Sequence, residues 1–279
     1  MTIDMTKSWD SNTNLPIKAL QKGTGIPYLT RGAMYPHPAG NKTFLSFGGT
    51  VAMDNTTFSG WQAAQDESKS IYSYDVAGNS WQGSDLTSSG LIRPCSGASA
   101  YSKDKGLGFY YNGEQDWGSS QQARALNDTI KFIDGMVVLD LHNQSAPARN
   151  LSTAAVSASG RVRSQMVHVP LPGSDGILVL LGGGEKPLND FTHNWKGTLV
   201  SFQSIDIFDV GSLANGSSGV WISQSTSGTL PSPRVDACVV VMPAPDNSSH
   251  NIYMYGGRDG VNGYYDECKF RHFQIFKFG

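Results

Sequence analysis

The side chains able to do chemistry are few and scattered. Six histidines, His37, His142, His168, His193, His250 and His272, include no two at a metal-ligand spacing. Three cysteines, Cys95, Cys238 and Cys268, lack the C-x2-C pattern of a zinc site, and an odd number leaves at least one thiol over. They read as small buried hydrophobes. No G-x-S-x-G nucleophile elbow occurs. Gly182-Gly-Gly-Glu185 is glycine-rich, but it closes an apolar run instead of opening a helix, so it does not read as a phosphate cradle. The acid pairs Asp66-Glu67 and Asp266-Glu267 are sequence neighbours in polar stretches and read as solvated loop charges. On this reading there is no catalytic residue, no metal ligand set and no cofactor to assign.

Recognition chemistry is better represented. Polar segments that follow glycine-terminated apolar runs carry Trp61, then Glu114, Asp116 and Trp117, then Glu185, His193 and Trp195, and finally Arg258. An indole plate beside carboxylates and amides offers stacking area with oriented hydrogen bonds, which sugar or peptide binding needs. The competing reading is that each Trp anchors its own loop and that Arg258-Asp259 is a rim ion pair. Either way, the elements in between must present these segments on one face.

Composition narrows those elements. The 279 residues carry 21 Lys+Arg against 23 Asp+Glu, a net charge of −2, and only 16% are charged. No basic block exists to grip nucleic acid, and no apolar run is long enough to span a membrane. The apolar share of 39% and 32 glycines support a folded, turn-rich, all-β chain.

Four apolar runs end in glycine: Phe44-Leu-Ser-Phe-Gly-Gly49, Leu107-Gly-Phe-Tyr-Tyr-Asn-Gly113, Ile177-Leu-Val-Leu-Leu-Gly-Gly-Gly184 and Ile252-Tyr-Met-Tyr-Gly-Gly257. An arginine precedes each run: Arg31, Arg93, Arg163 and Arg234. Their recurrence marks them as structural. Turn residues between the arginine and the run predict a hairpin. After a polar loop comes another strand ending in Asp, a turn and usually Trp, as in Asp75 to Trp81, Asp209 to Trp221 and Asp4 to Trp9; Asp140 finds no Trp. Each unit therefore predicts four antiparallel strands with a glycine pair after the second and an aromatic after the third.

That order resembles the kelch motif of β-propellers, although Asn112-Gly113 replaces one glycine pair and the units are longer than a minimal repeat. Thr2-Ile-Asp-Met-Thr-Lys-Ser-Trp9, Phe47-Gly-Gly and Met254-Tyr-Gly-Gly-Arg258 look like fungal secreted or cell-surface kelch proteins, which are grouped with galactose-oxidase-like propellers. The resemblance implies a kelch-type β-propeller in which residues 1–30 form a half blade. Residues 31–90, 91–160 and 161–230 are full blades and 231–279 a partial one. About four blade-equivalents imply either an incomplete arc with apolar faces exposed at both ends or a four-blade closure. For the tail, Phe273-Gln-Ile-Phe-Lys-Phe278 suits an outer strand. The alternative is that residues 268–279 are translated from outside the proper exon.

The resemblance also admits a copper radical oxidase, which requires two His, Tyr ligands and a Cys-linked Tyr. Cys95 lies near Tyr101, but no His pair accompanies them. The expected function is a non-enzymatic protein- or glycan-interaction module of a fungal surface glycoprotein. The alternatives are a truncated copper oxidase and an intracellular kelch scaffold.

Sequons separate the compartments. Asn-x-Ser/Thr occurs at Asn41, Asn55, Asn127, Asn143, Asn150, Asn215 and Asn247, against roughly three expected by chance. The N-terminus lacks the basic and apolar regions of a signal peptide. A secreted or surface full-length form reconciles the two, its signal and any anchor lying outside this chain. Expressed behind a secretion signal in a eukaryotic host, the chain should run faster on a gel after enzymatic N-glycan removal. Unchanged mobility would favour the intracellular scaffold.

Overall fold

The computed structural model describes residues 2–4, 6–10, 12, 15–18, 26–39, 42–51, 69–85, 91, 93–126, 129–143, 146, 148–188, 197–246, 248–259, 263–265 and 268–269. Three four-stranded antiparallel sheets follow one another along the chain. The first joins Ala33–Pro36, Thr43–Phe47, Lys69–Asp75 and Ser80–Asp85 in sequence order. The second joins Ala98–Ser102, Leu107–Gln115, Lys131–Asp140 and Arg149–Leu151. The third joins Gln165–Val169, Ile177–Leu181, Ser204–Asp209 and Val220–Ser225. A fourth sheet has Val235–Pro243, His250–Arg258 and Cys268–Lys269. Successive antiparallel sheets, each ordered as in the chain, are consistent with the blades of a kelch-type β-propeller; the described residues do not show its closure. Thr2–Ile3 pairs with Ile17–Lys18 as a separate two-stranded sheet.

Strand alternation explains the stacking. Side chains point alternately to the two faces, so an inner strand apolar at every position packs on both sides. Ile177–Leu181 is buried throughout. Leu178 and Leu180 pack with Phe109, Tyr111 and Met136 of the second sheet, while Ile177, Val179 and Leu181 pack with Ala237, Ile252 and Met254 of the fourth. On the other side of the second sheet, Tyr110, Val137 and Leu139 meet Tyr35, Leu45 and Phe47 of the first. Trp221 is the expected plate between sheets, 5.5 Å from Tyr111 and 4.9 Å from Phe208. Trp81 instead stacks on Tyr74 of its own sheet.

The Asp turns form as expected. Asp75 Oδ1 accepts from the Ala77 and Gly78 amides, Asp140 Oδ1 from His142 and Asn143, and Asp209 Oδ1 from Gly211. The glycine pairs turn through positive φ, at 69° and 95° for Gly48 and Gly49 and at 59° and 101° for Gly182 and Gly183. Asn112, at 46°, replaces the first glycine of the second pair because Asn tolerates this region.

The first and third of these pairs also bring two sheets together. The Gly49 amide donates to the Pro94 carbonyl at 2.7 Å, and the Gly183 amide to Arg234 at 2.9 Å. A Cβ on Gly48 would sit 2.5 Å from the Pro94 oxygen, and one on Gly182 would sit 2.7 Å from that of Arg234. Among the described residues, no helix is long and apolar enough to cross a membrane.

Gly48→Ala and Gly182→Ala should each cost at least about 2 kcal/mol by urea unfolding, since left-handed strain adds to a clash with an inter-sheet acceptor. Gly173→Ala shares the positive φ with nothing within 4 Å. It should show the backbone cost alone, about 1 kcal/mol.

Candidate functional site

One residue at the start of each sheet is left-handed without being glycine: Arg31, Ser96 and Arg163, each two residues before the first strand, and Asp236, the second residue of Val235–Pro243, with φ of 59°, 58°, 55° and 58°. They stand in a hydrogen-bonded row. The Ser96 amide donates to the Arg31 carbonyl at 2.8 Å, Arg163 to Ser96 at 2.7 Å, and Asp236 to Arg163 at 3.1 Å. This row lines the glycine-pair end of the sheets and sets the site.

From the row, Arg31 reaches the second sheet, where its guanidinium meets Glu114 Oε1 at 3.3 Å and Asp116 Oδ2 at 2.8 Å. Ser96 Oγ donates to Glu114 Oε1, and Thr50 Oγ1 donates to Asp116 Oδ1. Further along, Arg163 Nη1 and Arg258 Nε both bond Asp236 Oδ2, at 3.1 and 3.0 Å. Arg163 also favours the charged form of Glu114 electrostatically, which couples the two groups. The result is an alternating run of charges from four sheets, with Arg31 and Asp236 the most open to solvent.

The arginines marked by the sequence are not equivalent. Arg31 and Arg163 occupy the left-handed row and carry the ion pairs. Arg234 lies two residues before the row and donates Nη1 to the Gly256 carbonyl at 2.9 Å. Its counterpart in the third sheet is Arg161, which donates to the Gly182 carbonyl and pairs with Asp206 at 2.7 Å. Arg93 lies three residues before the row, buried, donating Nη2 to the Gly118 carbonyl. Arg161 and Arg234 are the clamps that recur, and a one-class reading of the four is corrected. The double Arg161-Val-Arg163 was the available signal.

Glu114 belongs to the strand Leu107–Gln115 rather than to a loop, and both Glu114 and Asp116 are buried, which corrects their placement as open loop groups. A backbone bridge between Cys95 and Glu114 explains why. Trp117 is half-buried, and its carbonyl accepts from Arg124 at 2.6 Å. Glu185 is half-buried in the strand Gly184–Lys186, opposite Arg161. Trp61, His193 and Trp195 lie outside the described residues, as do Asp66, Glu67, Asp266, Glu267, Phe273–Phe278, Asn41, Asn55, Asn127 and Asn247. Asn143 and Asn150 are exposed, and Asn215 lies in the 3-10 turn Val210–Gly216. The structure joins Glu114, Asp116 and Arg258 of the expected set through Arg31 and Arg163, which the sequence marked only as structural, and through Asp236, which the sequence reading missed.

Among the described residues, one grouping bears on metals. Cys95, Glu114 and Asp116 place ligand atoms within 4.8 Å of one another. Burial pushes the Cys95 thiol well up, and the neighbouring Asp116 and Glu114 charges push it further. It is therefore a thiol at neutral pH. Arg31 already supplies positive charge to both carboxylates. Elsewhere, at the first and second sheets' hairpin turns, the His37 and His142 rings meet edge to face at 6.3 Å, a pairing that sequence spacing conceals.

No protein-family model matches the chain. A Kelch repeat-containing protein of Arthroderma benhamiae is 26% identical over 289 aligned positions, covering 93% of this chain. The chain is similar to a kelch protein. It spans 39% of that relative's length. A solved structure described as a novel fungal alcohol oxidase with catalytic diversity among the AA5 family, in complex with copper, is 12% identical. It matches 85% of this chain and 50% of its own at a TM-score of 0.36, too low to bear on activity.

Desolvation raises the Glu114 carboxyl above its ordinary value, outweighing Ser96, Arg163 and Arg31. A carboxyl raised in the fold binds its proton more tightly folded than unfolded, so its contribution to stability declines as pH rises through the raised value. Glu114→Gln should flatten that segment of the melting temperature against pH. An unchanged slope would show that Glu114 does not titrate there.

Proposed function

We propose that this chain is a non-enzymatic recognition module which binds a protein or carbohydrate partner at the glycine-pair end of its sheets. The observation that carries the reading is the alternating run Arg31, Asp116, Arg163, Asp236 and Arg258. These side chains come from four sheets, and two sets of ion pairs hold them in place, Arg31 with Asp116 and Asp236 with Arg163 and Arg258. Such a surface presents oriented donors and acceptors with little ordering left to lose on binding, which favours hydroxyl- and amide-rich partners. Trp61, Trp117 and Trp195 would add stacking area from the adjoining segments. The neutral thiol of Cys95 and the carboxylates already paired with Arg31 support binding over catalysis.

The likeness to the Arthroderma benhamiae Kelch repeat-containing protein and the density of sequons support placing the module in a fungal secreted or cell-surface glycoprotein. Nucleic acid is an unsuitable partner for a surface of mixed sign on a chain whose net charge is −2.

The glycosylated protein should retain defined oligosaccharides or peptides on an array. Arg163→Ala and Arg258→Ala should weaken that binding at least tenfold, about 1.4 kcal/mol each, with unfolding transitions unchanged. Alcohol-dependent peroxide production by the copper-treated protein would overturn the reading.

A further inference from the structure

The buried arginines differ in how their charge is met. Arg161 bonds the Gly182 carbonyl and pairs with Asp206 at 2.7 Å. Arg234 bonds the Ser232 and Gly256 carbonyls and lies over the Tyr265 ring, 3.9 Å from its centroid. In the second sheet Pro94 takes their place, two residues before the left-handed one, and the arginine stands one residue further out. That arginine, Arg93, is 4% exposed. Its Nη2 donates to the Gly118 carbonyl at 2.8 Å, while Nε and Nη1 are buried without a hydrogen-bond partner. Among the described residues, no carboxylate pairs with it. A buried cation without a counter-charge is strongly unfavourable.

The one acceptor of Arg93 lies in the turn at 116–120, which three arginines hold. Arg31 bonds Asp116 Oδ2 at 2.8 Å, Arg124 the Trp117 carbonyl at 2.6 Å, and Arg93 the Gly118 carbonyl. The nearby carboxylates are engaged elsewhere. Asp116 Oδ1 accepts from Thr50 Oγ1 and the Gly118 amide, and Glu114 Oε1 accepts from Arg31 and Ser96. The charge of Arg93 therefore stays uncancelled behind the turn, where burial leaves it weakly screened. On the solvent side of the same turn, Trp117 is half-buried and the adjoining Gln121 and Gln122 are exposed.

We propose that an acidic polysaccharide supplies the missing counter-charge, an inference that rests on the recognition reading above and names its ligand class. A hexuronate residue lays its ring against the Trp117 indole, and the Gln121 and Gln122 amides meet its hydroxyls. Its carboxylate is drawn toward Arg93 across the turn. The indole favours a sugar over an acidic peptide, because a pyranose ring offers a flat apolar face for stacking and a carboxylate side chain does not.

By isothermal titration, the 279-residue chain should bind a β-1,4-linked triglucuronate at least about tenfold more tightly than cellotriose, its neutral counterpart. Arg93→Met keeps an apolar stem and removes the charge, and it should bring the two affinities together. Urea unfolding separates this from a structural role. Arg93→Met should unfold at a midpoint no lower than the wild type, because an unpaired buried charge is lost. Arg161→Met, which strands Asp206, should unfold at clearly lower urea. Equal binding of the two sugars overturns the inference, as does no binding of the triglucuronate, tighter binding of a triglutamate peptide, or an Arg93→Met chain as damaged as Arg161→Met. Array ligands lost with Arg163→Ala but kept by Arg93→Met would leave the recognition reading standing and overturn this inference alone. An array that retains nothing overturns both.

Discussion

Everything in this molecule hangs on a row of backbone hydrogen bonds between sheets, from Arg31 through Ser96 and Arg163 to Asp236. A strand inside a sheet spends its amides and carbonyls on its neighbours. To reach a different sheet, the chain must turn one peptide out of the ladder. A left-handed residue does this, at a cost of about 1–2 kcal/mol when it carries a side chain. Four such residues recur 65, 67 and 73 positions apart. Each internal one recovers the cost through a bond on either side.

The charged cluster follows from the row. Residues that leave their ladder at the same end of consecutive sheets bring their side chains to one rim. Arg31 and Arg163 then find carboxylates on the following sheet, at Asp116 and Asp236. The glycine pairs serve the same junction from the second strand, where the carbonyls of Pro94 and Arg234 leave no room for a Cβ. Arg161 and Arg234 close it from inside by bonding the first carbonyl of the pair. Backbone strain, glycine and buried arginine are therefore parts of a single joint, repeated with variations.

The order of strands, the glycine pairs, the Asp turns and the all-β class were legible because each rests on local chemistry. A run such as Ile177–Leu181 can only be a strand buried on both faces, and Asp75 can bond its own turn wherever it lies. The site was legible only in part. Glu114 and Asp116 stood out as charges after an apolar run, but their burial depends on Cys95 and Arg31, 19 and 83 residues away from Glu114. Arginine spacing suggested one repeating role where two exist, because a shift of two residues along the chain moves a side chain from the joint to the rim.

By itself, the sequence determined the periodic strands, the turns between them and the apolar composition of every sheet face, since these are set by neighbours within a few residues. Only the tertiary structure decided which arginines are clamps and which are rim charges, and which carboxylates are buried. Those properties depend on partners from about twenty residues away, as Arg234 and Gly256, to more than seventy, as Arg163 and Asp236, met through backbone groups that every residue type shares.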